Sequence, residues 1–132
     1  MKIAVWIGRV ISFLVVAMFS FSAIMKFVGG PDLEEGLEKM QIPMTLITTI
    51  AILEILSVVF YAIPQTTIIG AILLTGYLGG AIMTHLRVGD PVVVHVVLGV
   101  FIWLGIFLRE PRLRSLIPIR LPATQENTSP SD

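Results

Sequence analysis

Four long apolar segments constrain this chain more than any other feature of its sequence. They span residues 3–28, 43–63, 67–86 and 92–108, and the shortest has 17 residues. An α-helix rises about 1.5 Å per residue, so each segment can cross a hydrocarbon core of about 30 Å, the last only just. We therefore predict an all-α fold, a polytopic membrane protein with an up-down bundle of four transmembrane helices.

The composition agrees with a lipid environment. Apolar residues make up 55% of the 132 residues and charged residues only 14%, too little charge to cover the surface of a soluble domain. The formal net charge is zero, so no bulk charge favours nucleic acid as a partner. The absence of cysteine excludes disulfides, thiol redox chemistry and cysteine-ligated clusters within this chain.

The ends of the chain and its first connection complete the predicted organisation. A basic start before an apolar run is also typical of a signal peptide, but this run is longer than usual and no A-x-A site follows, which favours a retained helix. Leu33, Leu37 and Met40 are spaced as on one helical face, which predicts a surface helix near residues 32–40. We predict one domain over residues 1–120 and a disordered cytoplasmic tail over 121–132.

The basic residues predict the orientation. Four helices place both termini on one side, and that side carries Lys2, Arg9, Arg109, Arg112, Arg114 and Arg120. The opposite side has Lys39 and Arg87, with Lys26 near a helix end. By the positive-inside rule the termini lie in the cytoplasm, in a multi-pass protein of the cell (inner or plasma) membrane.

Five of the polar or ionisable residues within the apolar segments are candidate site residues, because a charge at mid-helix costs roughly 2.5 to 3.5 kcal/mol. Such residues face the interior of a bundle, and each is a candidate ligand or proton site. The up-down order places two of them near mid-depth and three near the outer ends of their helices, so we expect a polar cavity that opens outward. The candidates are Lys26, Glu54, Tyr77, His85 and His95.

Each candidate also has a structural explanation. Lys26 is close enough to a helix end to snorkel to the headgroups, and Glu54 can form a hydrogen bond between helices. The two histidines can be interfacial hydrogen bonders, and Tyr77 a packing residue. The functional hypothesis is a hydrated cluster of Glu54, Lys26, Tyr77 and His85, in which Lys26 must point inward and His85 reaches Glu54 through water or Tyr77.

Two further patterns concern packing and metals. Gly76 and Gly80 have G-x-x-x-G spacing, which favours close helix packing, inside the bundle or between subunits of an oligomer. There is no H-E-x-x-H or E-x-x-H motif, so we predict no metal site, although two histidines across a corner are also the kind of pair that can face a haem iron.

Several short motifs occur in a fixed order along the chain. They are Ser22-Ala23-Ile24-Met25-Lys26, Leu53-Glu54, Ile63-Pro64, Gly76-Tyr77-Leu78-Gly79-Gly80-Ala81, Thr84-His85-Leu86-Arg87, Gly89-Asp90-Pro91 and Arg109-Glu110-Pro111-Arg112-Leu113-Arg114. With these motifs the chain resembles the DoxX-like membrane proteins over about residues 8–116, although that family usually has Gly where this chain has Ala23. The resemblance implies a four-helix membrane fold. The family takes its name from a subunit of a thiosulfate:quinone oxidoreductase, and distant eukaryotic relatives resemble assembly chaperones.

Two functional hypotheses follow. In the first, the chain is an accessory subunit of a membrane redox system that binds a quinone or lipid-like ligand in the outward cavity, while a partner subunit supplies electrons. In the second, it is a non-enzymatic scaffold or assembly chaperone, and the polar residues only hold helices together. A stand-alone enzyme is not expected, because no redox centre can be built without cysteine and with only two histidines.

Overall fold

The structure, a computed structural model, describes residues 2–120 and residue 122. Helices account for most of these residues, as the apolar periodicity predicts. The predicted tail at 121–132 lies outside the described residues, apart from residue 122. The α-helices are α1 (Lys2–Val28), α2 (Pro31–Lys39), α3 (Ile47–Ala62), α4 (Thr67–Arg87), α5 (Val93–Arg109) and α6 (Pro111–Arg114).

Short 3-10 turns lengthen two of the long helices. Met44–Leu46 precedes α3 and Pro64–Thr66 precedes α4. Each turn directly follows a residue with extended backbone, which is Pro43 in the first case and the residue before Pro64 in the second. Together with α1, the segments Met44–Ala62 and Pro64–Arg87 are long and apolar enough to cross a membrane. The fourth, Val93–Arg109, is apolar but shorter.

The four long helices form a closed ring. Helix α1 packs against α3 and α5, and α4 packs against the same two helices, so α1 and α4 lie diagonally opposite each other. The predicted all-α helical bundle is confirmed. We call the end with Val28 and the α4–α5 connection the cavity end, and the end with Lys2 and Arg109 the terminal end.

Tight helix packing characterises the terminal end. A Cβ atom on Gly8 would lie 2.7 Å from the Gly105 carbonyl oxygen, and one on Gly70 would overlap the backbone of Tyr61. The Tyr61 hydroxyl donates to the Ile102 carbonyl oxygen over 2.9 Å and lies 3.3 Å from Ser12 Oγ. These contacts hold α1, α3, α4 and α5 close together around the core at this end.

Helix α2 turns back over the cavity end. The chain reverses at Gly29 and Gly30, whose φ angles of 73° and 123° suit glycine, and Pro31 starts the helix where its missing N–H costs nothing. Leu37 is buried beneath the helix. The sequence predicts a helix on the membrane surface here, and the structure adds that its apolar side covers the bundle.

Candidate functional site

A cavity of about 630 Å³ lies between the four long helices and beneath α2. A volume of this size is typical of sites for small molecules. Its wall is mostly apolar, and its polar groups come chiefly from the membrane-spanning helices. All five site residues predicted from the sequence line it: Lys26, Glu54, Tyr77, His85 and His95.

The ion pair between Lys26 and Glu54 forms the deepest polar part of this wall. Lys26 Nζ lies 2.6 Å from Glu54 Oε2 and donates a second hydrogen bond, also of 2.6 Å, to Ser22 Oγ. The Glu54 side chain is 1% exposed and that of Lys26 17%. A charge this buried must be paired, which explains why Lys26 points inward instead of snorkelling.

Tyr77 stands beside this pair. Its ring centroid lies 5.9 Å from Lys26 Nζ, within the range of a cation–π contact, and the ring meets Phe19 edge-on at 6.3 Å. Lys26, Glu54 and Tyr77 come from α1, α3 and α4 respectively. The predicted association of these three side chains is therefore present in the structure, although Lys26 and Glu54 meet directly.

The two histidines form a second polar group, nearer the α4–α5 connection at the cavity end. The ring centroids of His85 and His95 lie 4.5 Å apart, with the rings inclined by 42°. His85 Nδ1 is 3.4 Å from Asp90 Oδ2, so the direct neighbours of this ring include Asp90 and His95. A link from His85 to Glu54 through water or Tyr77 stays a prediction. His95 Nδ1 is buried and has no hydrogen-bond partner among the described residues.

A salt bridge that sequence reasoning missed fastens α2 over the cavity. Lys39 Nζ lies 2.6 Å from Asp90 Oδ1, and this hydrogen bond lowers the pKa of the Asp90 carboxyl, with His85 contributing in the same direction. The two residues are 51 positions apart. The one signal in the sequence for this salt bridge was that the two residues carry opposite charges and lie on the same predicted side of the membrane.

Gly76 and Gly80 do not make the close contacts inside the bundle that their spacing allows. Both line the cavity, and a Cβ atom on either would meet nothing within 4 Å among the described residues. They therefore do not mediate packing within the bundle, where Gly70 and Gly105 make the close contacts instead. Packing against a second subunit stays a prediction.

The arrangement is suited to binding an amphiphile. The Tyr77 hydroxyl, Lys26 ammonium and imidazole nitrogens are hydrogen-bond donors, Glu54 is an acceptor, and the remaining wall is apolar. Among the residues that the structure describes, no group of three or more His, Asp or Glu side chains is placed to hold a metal ion.

Comparison with known proteins identifies the family. No curated protein and no solved structure matches the chain. The family model described as the DoxX-like family matches residues 10–107, which include α3 and α4 whole, most of α1 and α5, and every residue of the Lys26–Glu54 and His85–His95 pairs. The chain therefore belongs to the DoxX-like family of membrane proteins.

Proposed function

We propose that this protein is an accessory subunit of a membrane redox system, and that it binds the polar head of a quinone or lipid-like molecule in the cavity. The observation that supports this most directly is the position of a buried ion pair, a tyrosine and two histidines in one mostly apolar cavity of about 630 Å³. A bundle that used its polar residues only to hold helices together has no need of such a space.

A quinone head fits the chemistry of these side chains. It has carbonyl oxygens that accept hydrogen bonds, and Lys26, Tyr77 and His95 are potential donors on three different helices. Glu54 or a histidine takes up or releases the proton that accompanies a change in the redox state of the ligand. Electrons come from a partner subunit, because this chain has no cysteine and only two histidines.

The cavity is suited to holding a ligand and not to conducting protons across the membrane. Val58, Leu74 and Ile102 are buried on the terminal side of Glu54 and Tyr77 and are absent from the cavity lining. This apolar layer separates the cavity from Tyr61 and the terminal end. We propose that the cavity end faces away from the cytoplasm, in agreement with the basic residues near the termini.

Binding to a defined probe tests the proposal. The purified protein in lipid nanodiscs is titrated with a benzoquinone that carries a ten-carbon chain, and empty nanodiscs give the partition background. We expect saturable binding that Glu54→Gln weakens by about tenfold or more, which corresponds to about 1.4 kcal/mol. Glu34→Gln, an equivalent change on the exposed face of α2, is the matched control and leaves the affinity unchanged. Binding no greater than in empty nanodiscs would refute the proposed ligand class.

A second measurement separates the accessory role from that of a scaffold. The protein is purified from native membranes in a mild detergent, and the proteins that remain bound are analysed for redox centres. A stoichiometric partner that carries such a centre supports the accessory role. A partner without a redox centre, together with an empty cavity, favours the scaffold or chaperone hypothesis instead.

A further inference from the structure

We propose that the cavity opens sideways into the bilayer between α3 and α4, and that its ligand is an amphiphile with a single hydrocarbon chain that leaves through this opening. The inference rests on the proposed function and specifies the class of ligand. It starts from residues that line the cavity and are also exposed on the outside of the bundle. On α3 this residue is Leu53, which is 54% exposed, and on α4 they are Gly76 and Gly80.

The spacing between the two helices changes along their length. Near their connection they touch, because a Cβ atom on Gly70 would overlap the backbone of Tyr61. Nearer the cavity end, α4 presents Gly76 and Gly80, beside which a Cβ atom would meet no described atom within 4 Å. The space beside these two glycines is continuous with the cavity that both of them line.

The position of this opening relative to the ion pair suits an amphiphile. Leu53 is adjacent in sequence to Glu54, and Gly76 to Tyr77, so each side of the mouth adjoins a polar group inside it. A polar head next to the ion pair would place its chain at the mouth, in contact with lipid. A ligand that enters this way does not need to pass between α2 and the bundle from the aqueous side.

The size of the mouth suits a single chain. Gly76 and Gly80 are one helical turn apart, about 6 Å along the axis at 1.5 Å per residue. Carbon atoms pack at about 4 Å, so the space left by the two missing side chains is wide enough for one alkyl or isoprenoid chain. We therefore assign the opening to an amphiphile with a single chain, such as a quinone.

Glycine at these positions is otherwise unfavourable. In a helix interior it is less favourable than alanine by about 1 kcal/mol, and within the bundle no close packing offsets this at Gly76 or Gly80. A larger side chain at either position would project into the mouth. The double variant Gly76→Leu/Gly80→Leu should therefore fold well and obstruct only the chain.

Two quinone probes test the inference. One is a benzoquinone whose ten-carbon chain carries a diazirine at its middle, and the other is the same head without a chain. In nanodiscs we expect the double variant to lose at least about tenfold in affinity for the chain-bearing probe and to bind the head alone within about twofold of the wild type. The matched control is Gly79→Leu, because Gly79 is also exposed and uncrowded but does not line the cavity.

Photolysis of the bound probe locates the chain directly. Labels on α3 and α4 around Leu53 and Gly76–Gly80 support the mouth. Labels concentrated on α1 around Met18, another exposed residue of the cavity lining, would place the chain elsewhere and overturn the inference while leaving the proposed function intact. If neither probe binds the wild type above the lipid background, the proposed function itself fails, and this inference fails with it.

Discussion

The two ends of the bundle are built from similar apolar helices, yet they are packed in opposite ways. At the terminal end, glycines bring backbones together, and Tyr61, Ile102 and Ile106 are almost completely buried. At the cavity end, glycines face open space, and a buried ion pair lines a cavity. From this difference we expect the terminal end to contribute more to the stability of the fold than the cavity end, where packing is looser around the polar residues.

The strongest test of this division compares two glycines of the same helix. Gly70→Ala places a Cβ atom against the Tyr61 backbone, which cannot move aside as a flexible side chain would. We expect it to lower the free energy of unfolding by about 3 kcal/mol or more. A Cβ atom at position 76 would meet none of the described atoms within 4 Å, so Gly76→Ala should raise the free energy of unfolding by up to about 1 kcal/mol through helix propensity. Thermal unfolding in detergent, followed by circular dichroism, measures both, and similar stabilities for the two variants would contradict the division.

The buried ion pair gives the next largest effect. Glu54→Leu alone leaves the Lys26 ammonium without its carboxylate partner in an apolar wall, and should destabilise the protein by roughly 3 kcal/mol. The double variant Lys26→Met/Glu54→Leu removes both charges and should unfold within about 1 kcal/mol of the wild type, yet fail to bind the quinone probe. A double variant that is as unstable as the single one would mean that the pair stabilises the bundle and is not maintained for the site.

The two tyrosines sharpen the comparison with the same small change at each end. Tyr61→Phe removes a hydrogen bond to the Ile102 carbonyl oxygen inside the core, so unfolding should become easier by about 1 kcal/mol with probe binding unchanged. Tyr77→Phe should leave stability nearly unaltered and weaken probe binding. Measuring unfolding temperature and probe affinity for both variants checks this, and the reverse pattern would be inconsistent with the roles assigned here.

The smallest expected effect is a pH dependence of α2. The pKa of Asp90 lies below its ordinary value of 3.8 because Lys39 donates a hydrogen bond to it. The contribution of this pair is therefore complete above pH 3.8 and is lost as the pH falls through the lower pKa of the folded protein. The protection of α2 backbone amides against hydrogen exchange, relative to the intrinsic exchange rate at each pH, should fall below about pH 4. In Asp90→Asn this protection should be reduced already at neutral pH, and unchanged protection would show that the pair does not fasten α2.

The four long helices and the surface helix were predictable because they depend on local patterns, whereas the short α6 was not predicted. Runs of apolar residues with few charges leave a helix as the one way to satisfy the backbone in lipid. The same reasoning found the five site residues, since an ionisable residue such as Glu54 must face the interior of the bundle. It could not determine which side chains would meet, because that depends on the rotation of each helix about its axis.

Sequence by itself thus determined an all-helical membrane bundle, five candidate residues that line its cavity and, through Gly89-Asp90-Pro91, the corner between α4 and α5. Tertiary structure alone decided that Lys26 pairs with Glu54, that Lys39 fastens α2 to Asp90, and that Gly76 borders open space while Gly70 touches Tyr61. Glycines on the same helix differ in their contacts because packing depends on both of the surfaces that face each other. A glycine indicates where a backbone can approach, and only the neighbouring helix decides whether it does.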